Sequence, residues 1–188
     1  MVSKDLARAN TSASRAARSD HDRQTCGHAL SQHDWANLIH GDRVSLYVSM
    51  FTEPPTQELR KLLLSIGKTV ALPIMSAHRA LEWGLDSDTL TTNSFGVDEP
   101  VADDTLTPET FDTMIIPAQR AGLDGSRLGR GAGYYDRVLS TLRPAHEGGP
   151  LRVVIVYDDE VDETVPCDEW DQPVDVIVTP SRIIHVSK

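Results

Sequence analysis

The stretch RVSLYVSMFTEPPTQELRKLLLSIGKTVALPIM, from Arg43 to Met75, predicts the architecture of this chain. Residues 43–50 and 68–75 are rich in β-branched and other apolar residues, as buried strands are. Between them, the turn TEPPT leads into residues 56–67, whose leucines recur at helical spacing until Gly67 ends the helix. Strand, helix and strand within about thirty residues predict a parallel βαβ unit.

The same alternation of strands and helices continues toward the C-terminus. Residues 110–118 (TFDTMIIPA), 151–158 (LRVVIVYD) and 174–180 (VDVIVTP) have the apolar composition of strands, and we expect 174–180 to be the last strand. Residues 134–143 (YYDRVLSTLR) are predicted to form a helix. The pattern is typical of an α/β protein.

The remaining segments fit around this pattern. The N-terminal residues up to position 30 are predicted to form one or two helices, and residues 31–41 (SQHDWANLIHG) a further one. Between Met75 and Thr107, turn-forming residues favour short hairpins and loops over one edge of the sheet. Neither an internal repeat nor a low-complexity linker divides the chain. We therefore predict a single α/β domain over residues 1–188, with a mainly parallel sheet.

Composition narrows the possible partners. The formal net charge is −10, so we expect no binding to nucleic acid or to anionic membranes, both of which favour a basic face. There is no signal-peptide pattern, and the apolar runs are far shorter than the roughly 20 residues that span a bilayer. Cys26 and Cys167 lack metal-site spacing. We expect reduced thiols in a cytoplasmic, monomeric protein, with a disulfide between them as the open alternative.

The most unusual composition lies in GSRLGRGAGYYDR, residues 125–137, which combines four glycines, three arginines, two tyrosines and one aspartate. Glycine lets backbone N–H groups turn toward an anion, because no Cβ stands in the way. The forked donors of Arg127 and Arg130 suit phosphate oxygens, and a helix beginning near Tyr134 adds a partial positive charge. Asp136 can hold a Mg²⁺ ion that in turn binds phosphates. The pattern favours a phosphate-binding loop.

Other interpretations of this segment remain open. It has neither the Gly-Lys-Ser/Thr of a Walker loop nor the dinucleotide-binding fingerprint. Its RGAGYYDR portion is faintly similar to RNA-recognition motifs, which the acidic composition disfavours. A purely structural tight turn would use the glycines, but it would not need the flanking arginines.

Taken as written, RLGRGAGYYDR (127–137) resembles the signature of the 5-formyltetrahydrofolate cyclo-ligase family, which usually reads Arg-Leu-Gly-Arg-Gly-x-Gly-Tyr-Tyr-Asp. Other segments resemble that family in the same order: KDLAR (4–8), YVSMFTEPPT (47–56), GKTVALP (67–73), FGVDEP (95–100) and VPCDEWDQPVDVIVTP (165–180). The resemblance therefore covers nearly the whole chain.

The resemblance implies a three-layer α/β/α fold of the kind shared with ribose-phosphate isomerases and CoA transferases. It also implies an ATP- and Mg²⁺-dependent enzyme that converts 5-formyltetrahydrofolate to 5,10-methenyltetrahydrofolate and releases ADP and phosphate. In that reaction the γ-phosphoryl group would be transferred to the formyl oxygen before N10 closes the ring. The expected partners are thus small-molecule substrates.

The resemblance further implies a role for each matched residue. Arg130 and Tyr134 would be catalytic, and Asp136 and Asp171 would bind the metal ion. ATP would contact Lys4, Asp5, Leu6, Ala7, Arg8, Arg127, Leu128, Gly129, Arg130, Gly131, Ala132, Gly133, Tyr134 and Tyr135. The folate substrate would contact Val48, Glu53, Arg130, Gly131, Ala132, Gly133 and Tyr134.

Some residues depart from the family pattern. Ala7 replaces the usual leucine, and Trp170 stands where histidine is common; we expect this tryptophan to pack rather than to stack on a ligand ring. Gln119 and Arg120 lie in a stretch that is usually small and apolar, and Gly122 occupies the position of an aspartate. These departures keep two alternatives open: a non-catalytic nucleotide or folate binder, and a sugar-phosphate isomerase on the same kind of fold.

Overall fold

The computed structural model describes residues 3–50, 52–75, 81–87, 89–93, 96–101 and 105–187. Its helices are α1 (Lys4–Ala16), α2 (Asp20–Ser31), α3 (Trp35–Leu38), α4 (Gln57–Ser65) and α5 (Tyr134–Leu139). Its strands are β1 (Arg43–Ser45), β2 (Thr69–Met75), β3 (Leu81–Leu85), β4 (Leu90–Thr92), β5 (Asp98–Pro100), β6 (Thr105–Leu106), β7 (Thr113–Pro117), β8 (Arg120–Gly122), β9 (Arg127–Leu128), β10 (Leu151–Ile155), β11 (Val161–Asp162), β12 (Val176–Val178) and β13 (Ile183–His185).

Eight of these strands form a central sheet in the order β13-β12-β10-β7-β1-β2-β3-β6. Strands β12, β10, β7, β1 and β2 pair in parallel, whereas β13, β3 and β6, toward the two edges, each pair antiparallel with the neighbour on their inner side. The predicted βαβ unit is confirmed, because β1 and β2 pair in parallel with Val44 beside Val70, and α4 connects them. Strands β4 and β5 form a separate hairpin, as the turn-rich composition predicts.

The central sheet is buried on both faces, because successive strand residues point to opposite sides. Ile115 of β7 packs in a cluster that includes Trp35 of α3 and leucines of α2 and α4. Its neighbours Met114 and Ile116 point the other way, into a cluster that includes Leu139 of α5. Helices therefore cover both faces of a mainly parallel sheet, which confirms the predicted α/β class.

A buried ion pair fixes helix α1 against the sheet. Arg15, near the C-terminal end of α1, donates from Nε to Glu160 Oε1 at 2.7 Å and from Nη2 to Glu160 Oε2 at 2.8 Å. Both side chains are 1% exposed. Arg15 Nη2 also donates to the carbonyl of Ala118, just beyond β7, at 2.7 Å. Helix α1 is thereby attached to the loops that follow β7 and β10.

Several predicted boundaries are wrong. The strand expected over residues 43–50 ends at Ser45, because the following segment leaves the sheet and lines a cavity. The helix expected over residues 134–143 ends at Leu139, after which the backbone tightens into i, i+3 turns. Residues 174–180 do not hold the last strand, since β13 follows β12 and pairs with it antiparallel.

Two further findings concern expectations drawn from composition. Within the ranges described above, no helix is long and apolar enough to cross a membrane. Cys26 and Cys167 are free thiols, so the disulfide alternative does not hold.

Candidate active site

The predicted phosphate loop connects β9 to α5. Strand β9 pairs with β8 in a small sheet apart from the central one, and Gly133 immediately precedes α5. Gly131 and Gly133 have φ angles of +103° and +67°, a backbone region that other residues rarely adopt. A Cβ atom added to Gly131 would lie 3.3 Å from Cζ of Arg8. The loop therefore passes closely over an arginine of α1.

Two arginines hold this loop in place through protein acceptors. Arg8 donates from Nε to the carbonyl of Gly129 at 3.0 Å and from Nη1 to Asp5 at 2.9 Å. Arg127 is only 4% exposed and pairs with Asp136 of α5. Positive charge from two distant parts of the chain thus converges on one glycine-rich segment, in a protein whose net charge is −10.

The two predicted metal ligands lie close together, each beside a cation. Lys4 Nζ donates to both Asp168 and Asp171, and Asp136 Oδ1 accepts the N–H of Gln172 at 3.2 Å, next to Asp171 in sequence. Burial raises the pKa of Asp171, but its hydrogen bond from Lys4 opposes this and leaves the pKa below its ordinary value. Burial lowers the pKa of Lys4, and its two carboxylate partners more than compensate, so that pKa is raised.

Glu53 is a buried carboxylate, 4% exposed, on the segment that leaves the sheet after β1. Arg130 Nε donates to its Oε1 at 2.9 Å, and the N–H of Met50 donates to its Oε2 at 2.9 Å. The hydroxyl of Tyr157 donates to the backbone carbonyl of Glu53 at 3.1 Å. Burial, and next the charge of Glu53, raise the pKa of Tyr47 well above its ordinary value, so this phenol stays neutral.

These groups line one cavity of about 920 Å³. Every residue predicted to contact ATP, folate or metal lines it except Asp5, Leu6 and Ala7. Asp5 and Leu6 are exposed on α1, and Ala7 is buried against Leu128 and Val165. The structure therefore brings together segments that are far apart in sequence, from α1, the β1–α4 loop, the glycine loop and the segment around Asp171.

The cavity also contains residues that the sequence reasoning did not select, among them Tyr47, Glu99 and Trp170. Glu99 lies in FGVDEP (95–100), one of the segments that resemble the family, and that resemblance could have drawn attention to it. Trp170 is 63% exposed, so the prediction that it packs is wrong. Trp35 and Trp83, at 1% and 0% exposure, are the packed tryptophans.

The departures in residues 119–122 lie away from the cavity. Arg120 pairs with Asp162 of β11 at 2.6 Å, and buried Gln119 donates from Nε2 to Ser12 at 3.3 Å. A Cβ atom at Gly122 would lie 2.3 Å from Ser126 Oγ and 2.4 Å from Asp124 Oδ1, so a larger residue here would require those two side chains to shift. These residues build the small β11-β8-β9 sheet and do not line the site.

Comparison with known proteins decides the family. The model of the 5-formyltetrahydrofolate cyclo-ligase family matches residues 1–180. The chain belongs to this family. A 5-formyltetrahydrofolate cyclo-ligase of Mycolicibacterium smegmatis is 33% identical over 168 residues, covering 83% of this chain and 84% of the relative. A cyclo-ligase of Escherichia coli K12 is 31% identical over 153 residues, with 78% and 82% covered.

Solved structures agree with the cyclo-ligase assignment. The NMR structure of a 5,10-methenyltetrahydrofolate synthetase from Aquifex aeolicus superposes with a TM-score of 0.83 at 27% identity, covering 98% of this chain and 93% of that one. A synthetase from Mycoplasma pneumoniae has the same fold, with a TM-score of 0.75 at 22% identity and coverages of 96% and 100%. The chain is therefore an enzyme of the cyclo-ligase family, which removes the alternative of a non-catalytic binder.

Proposed function

We propose that this enzyme uses ATP, with Mg²⁺, to close 5-formyltetrahydrofolate to 5,10-methenyltetrahydrofolate. The observation that carries the proposal is the single cavity in which the glycine loop, the cations of α1 and the buried carboxylate Glu53 meet. A triphosphate and a ring with N–H groups need these two environments side by side. The names of the matched relatives support the folate substrate.

The phosphate-binding part of the proposal rests on local charge. Lys4, Arg8, Arg127 and Arg130 all line the cavity next to a loop in which Gly129, Gly131 and Gly133 carry no side chain of their own. Guanidinium groups bind phosphate oxygens with paired donors, and oriented backbone N–H groups add to that attraction. Because the protein as a whole is acidic, we infer that this local cluster of cations attracts the triphosphate.

The donor set around Asp136 and Asp171 fits Mg²⁺, although the described residues include no cluster of three or more His, Cys, Asp or Glu side chains that could hold a metal ion alone. Asp136 uses Oδ1 for its hydrogen bonds and Asp171 uses Oδ2, which leaves one oxygen of each without a hydrogen bond from a described residue. Mg²⁺ commonly takes one or two carboxylates and completes its shell with water and substrate phosphates. When bound, it would neutralise charge on the phosphates.

The chemistry follows from the poor leaving ability of a formyl oxygen. That oxygen attacks the γ-phosphorus of ATP and ADP leaves, which makes the oxygen part of a phosphate ester. N10 then attacks the formyl carbon, loses its proton, and the C–O bond breaks to release inorganic phosphate with the former formyl oxygen. Phosphoryl transfer asks a protein mainly for positioning and charge neutralisation. Arg8, Arg127 and Arg130, which line the cavity, would supply both.

Arg130 would connect the two halves of the reaction. Its Nε holds Glu53, while its side chain is 42% exposed at the cavity. Glu53 would accept hydrogen bonds from N–H groups of the pterin-like ring, and Tyr134, which begins α5, lines the same space. The guanidinium group of Arg130 would thus orient Glu53, which binds the folate ring, and would also stabilise the transferred phosphoryl group.

The test is formation of the methenyl product, followed by its near-ultraviolet absorbance. We expect product from 5-formyltetrahydrofolate only when both ATP and Mg²⁺ are present, and none with a non-hydrolysable ATP analogue. Equal turnover without ATP would contradict the proposal, and turnover of a sugar phosphate alone would favour an isomerase of this fold class.

A further inference from the structure

A second buried carboxylate lines the cavity and has no assigned role. Glu99 lies on β5 and is 9% exposed. Its Oε1 accepts the N–H of Met75 at 2.8 Å and Nδ2 of Asn93 at 2.7 Å. These bonds attach the β4–β5 hairpin to the end of β2, and they fix the direction of the carboxylate.

Glu99 differs from Glu53 in its surroundings. Glu53 is ion-paired with Arg130, whereas no Lys, Arg or His among the described residues pairs with Glu99. No described residue donates a hydrogen bond to Oε2 of Glu99. Nor is this oxygen one of the fully enclosed polar atoms without a partner, such as Nε1 of Trp83 and Nε of Arg152. Since Glu99 lines the cavity, a ligand bound there can approach its carboxylate.

The neighbours of Glu99 favour a flat, uncharged ligand group. Pro73, Met75, Leu81 and Val97 line the cavity on the same side, on or beside β2, β3 and β5. A triphosphate would be repelled by a carboxylate that no cation of the described residues neutralises. A heteroaromatic ring would instead bury its faces against the apolar side chains and give an N–H group to the free oxygen.

We propose that Glu99 is a substrate-binding residue, whose Oε2 accepts a hydrogen bond from an N–H group of the pterin-like ring of the folate substrate. This inference rests on the proposed function for the identity of the ring. Glu99 and Glu53 then recognise the same ring from two parts of the cavity, and of these two carboxylates Glu53 is the one ion-paired with a described residue. A carboxylate aimed at an N–H donor discriminates against a ring that lacks the donor, because the charge would be left unpaired.

The rival explanation is purely structural, with Glu99 serving only to connect the hairpin to β2. Glu99→Gln separates the two, because glutamine keeps an Oε1 acceptor for Met75 and Asn93 but replaces Oε2 by an NH₂ donor. Asp98→Asn is the matched control. Asp98 lies on the same strand, is exposed, and accepts from Thr92 at 2.6 Å, outside the cavity lining.

The experiment combines steady-state kinetics, thermal melting and calorimetric titration with 5-formyltetrahydrofolate in the absence of ATP. For Glu99→Gln we expect the folate KM and the calorimetric Kd to rise by about tenfold to a hundredfold, with the KM for ATP and the Tm close to those of the unsubstituted enzyme and of Asp98→Asn. An unchanged folate Kd would overturn the inference, and so would a rise in the KM for ATP alone or a lowered Tm with both KM values raised. Lack of turnover by the unsubstituted enzyme would count against the proposed function instead, and the calorimetric comparison would still decide the role of Glu99.

Discussion

Arg130 is proposed to contact the phosphates of ATP and, through Glu53, to orient the folate substrate. Deleting its charge would leave Glu53 buried without an ion-pair partner, which is strongly destabilising. Arg130→Lys avoids this, because lysine keeps the charge but not the forked donors. We expect kcat/KM to fall by about 10²-fold in the absorbance assay, since the phosphate contacts need those donors, while the Tm stays near its original value.

Arg43→Lys provides the matched control for that substitution. Arg43 is exposed at the start of β1 and does not line the cavity, so its replacement should leave kcat/KM unchanged. If Arg130→Lys were as active as Arg43→Lys, the phosphate site would have to lie elsewhere.

The Arg15–Glu160 pair is an ion pair in which both side chains are buried. Glu160→Gln would leave the guanidinium group of Arg15 buried with its charge uncompensated. We expect a loss of about 3–5 kcal/mol in the free energy of unfolding, measured by urea denaturation. Asp162→Asn breaks the partly exposed pair with Arg120 and should cost about 1 kcal/mol or less. Equal costs for the two variants would show that burial does not set the strength of these pairs.

At the scale of elements, a glycine of the loop between β9 and α5 can be compared with a glycine elsewhere in the chain. Gly131 and Gly148 both have positive φ angles, +103° and +86°, so replacing either with alanine should strain the backbone by about 1–3 kcal/mol. Only Gly131 lies against another group: its added Cβ would press on the guanidinium of Arg8, whereas nothing lies within 4 Å at Gly148. We expect Gly131→Ala to raise the KM for ATP by about tenfold or more and Gly148→Ala to leave it unchanged. Similar KM values for both variants would mean that Arg8 does not contact the nucleotide.

The elements that were predicted and those that were missed differ in a physical way. The inner strands β2, β7 and β10 and the helix α4 have strong apolar periodicity, so the sequence predicts them well. Strands β8, β9 and β11 have two or three residues each, too few for periodicity to appear. Arg120 of β8 pairs with Asp162 of β11, and such a long-range contact is not visible in local composition.

Among the residues of the site, too, some could be predicted from the sequence and others could not. Charged and glycine residues at unusual density marked the glycine loop as a candidate phosphate site, because such residues have no ordinary structural use together. Glu99 and Trp170 were not selected, since a carboxylate or an aromatic residue is common in any loop and only the fold places these two at the cavity. Lys4 and Arg8 resembled an ordinary exposed helix face until Asp171 and Gly129 were seen to accept their hydrogen bonds.

For the whole molecule, the carboxylates predict how stability depends on pH. The pKa of Asp158 lies below its ordinary value of 3.8, because hydrogen bonds from Ser181 and Thr179 lower it more than burial raises it. The pKa of Asp171 is lowered as well. A lowered folded-state pKa means stability that is present above about pH 4 and is lost as the pH falls through the folded value. Asp158→Asn should therefore be less stable than the unsubstituted protein at pH 6, with the two urea midpoints converging as the pH falls through the lowered folded-state pKa of Asp158. A difference that persists unchanged at low pH would contradict this origin.

The central claim is that the cavity activates the formyl oxygen by phosphorylation with ATP. It is tested most directly with 5-formyltetrahydrofolate whose formyl group carries oxygen-18, with the released phosphate analysed by mass spectrometry. We predict that the label appears in inorganic phosphate, with one labelled atom for each methenyl product formed. Label released as water, with unlabelled phosphate, would show that ATP does not phosphorylate the formyl oxygen and would contradict the account.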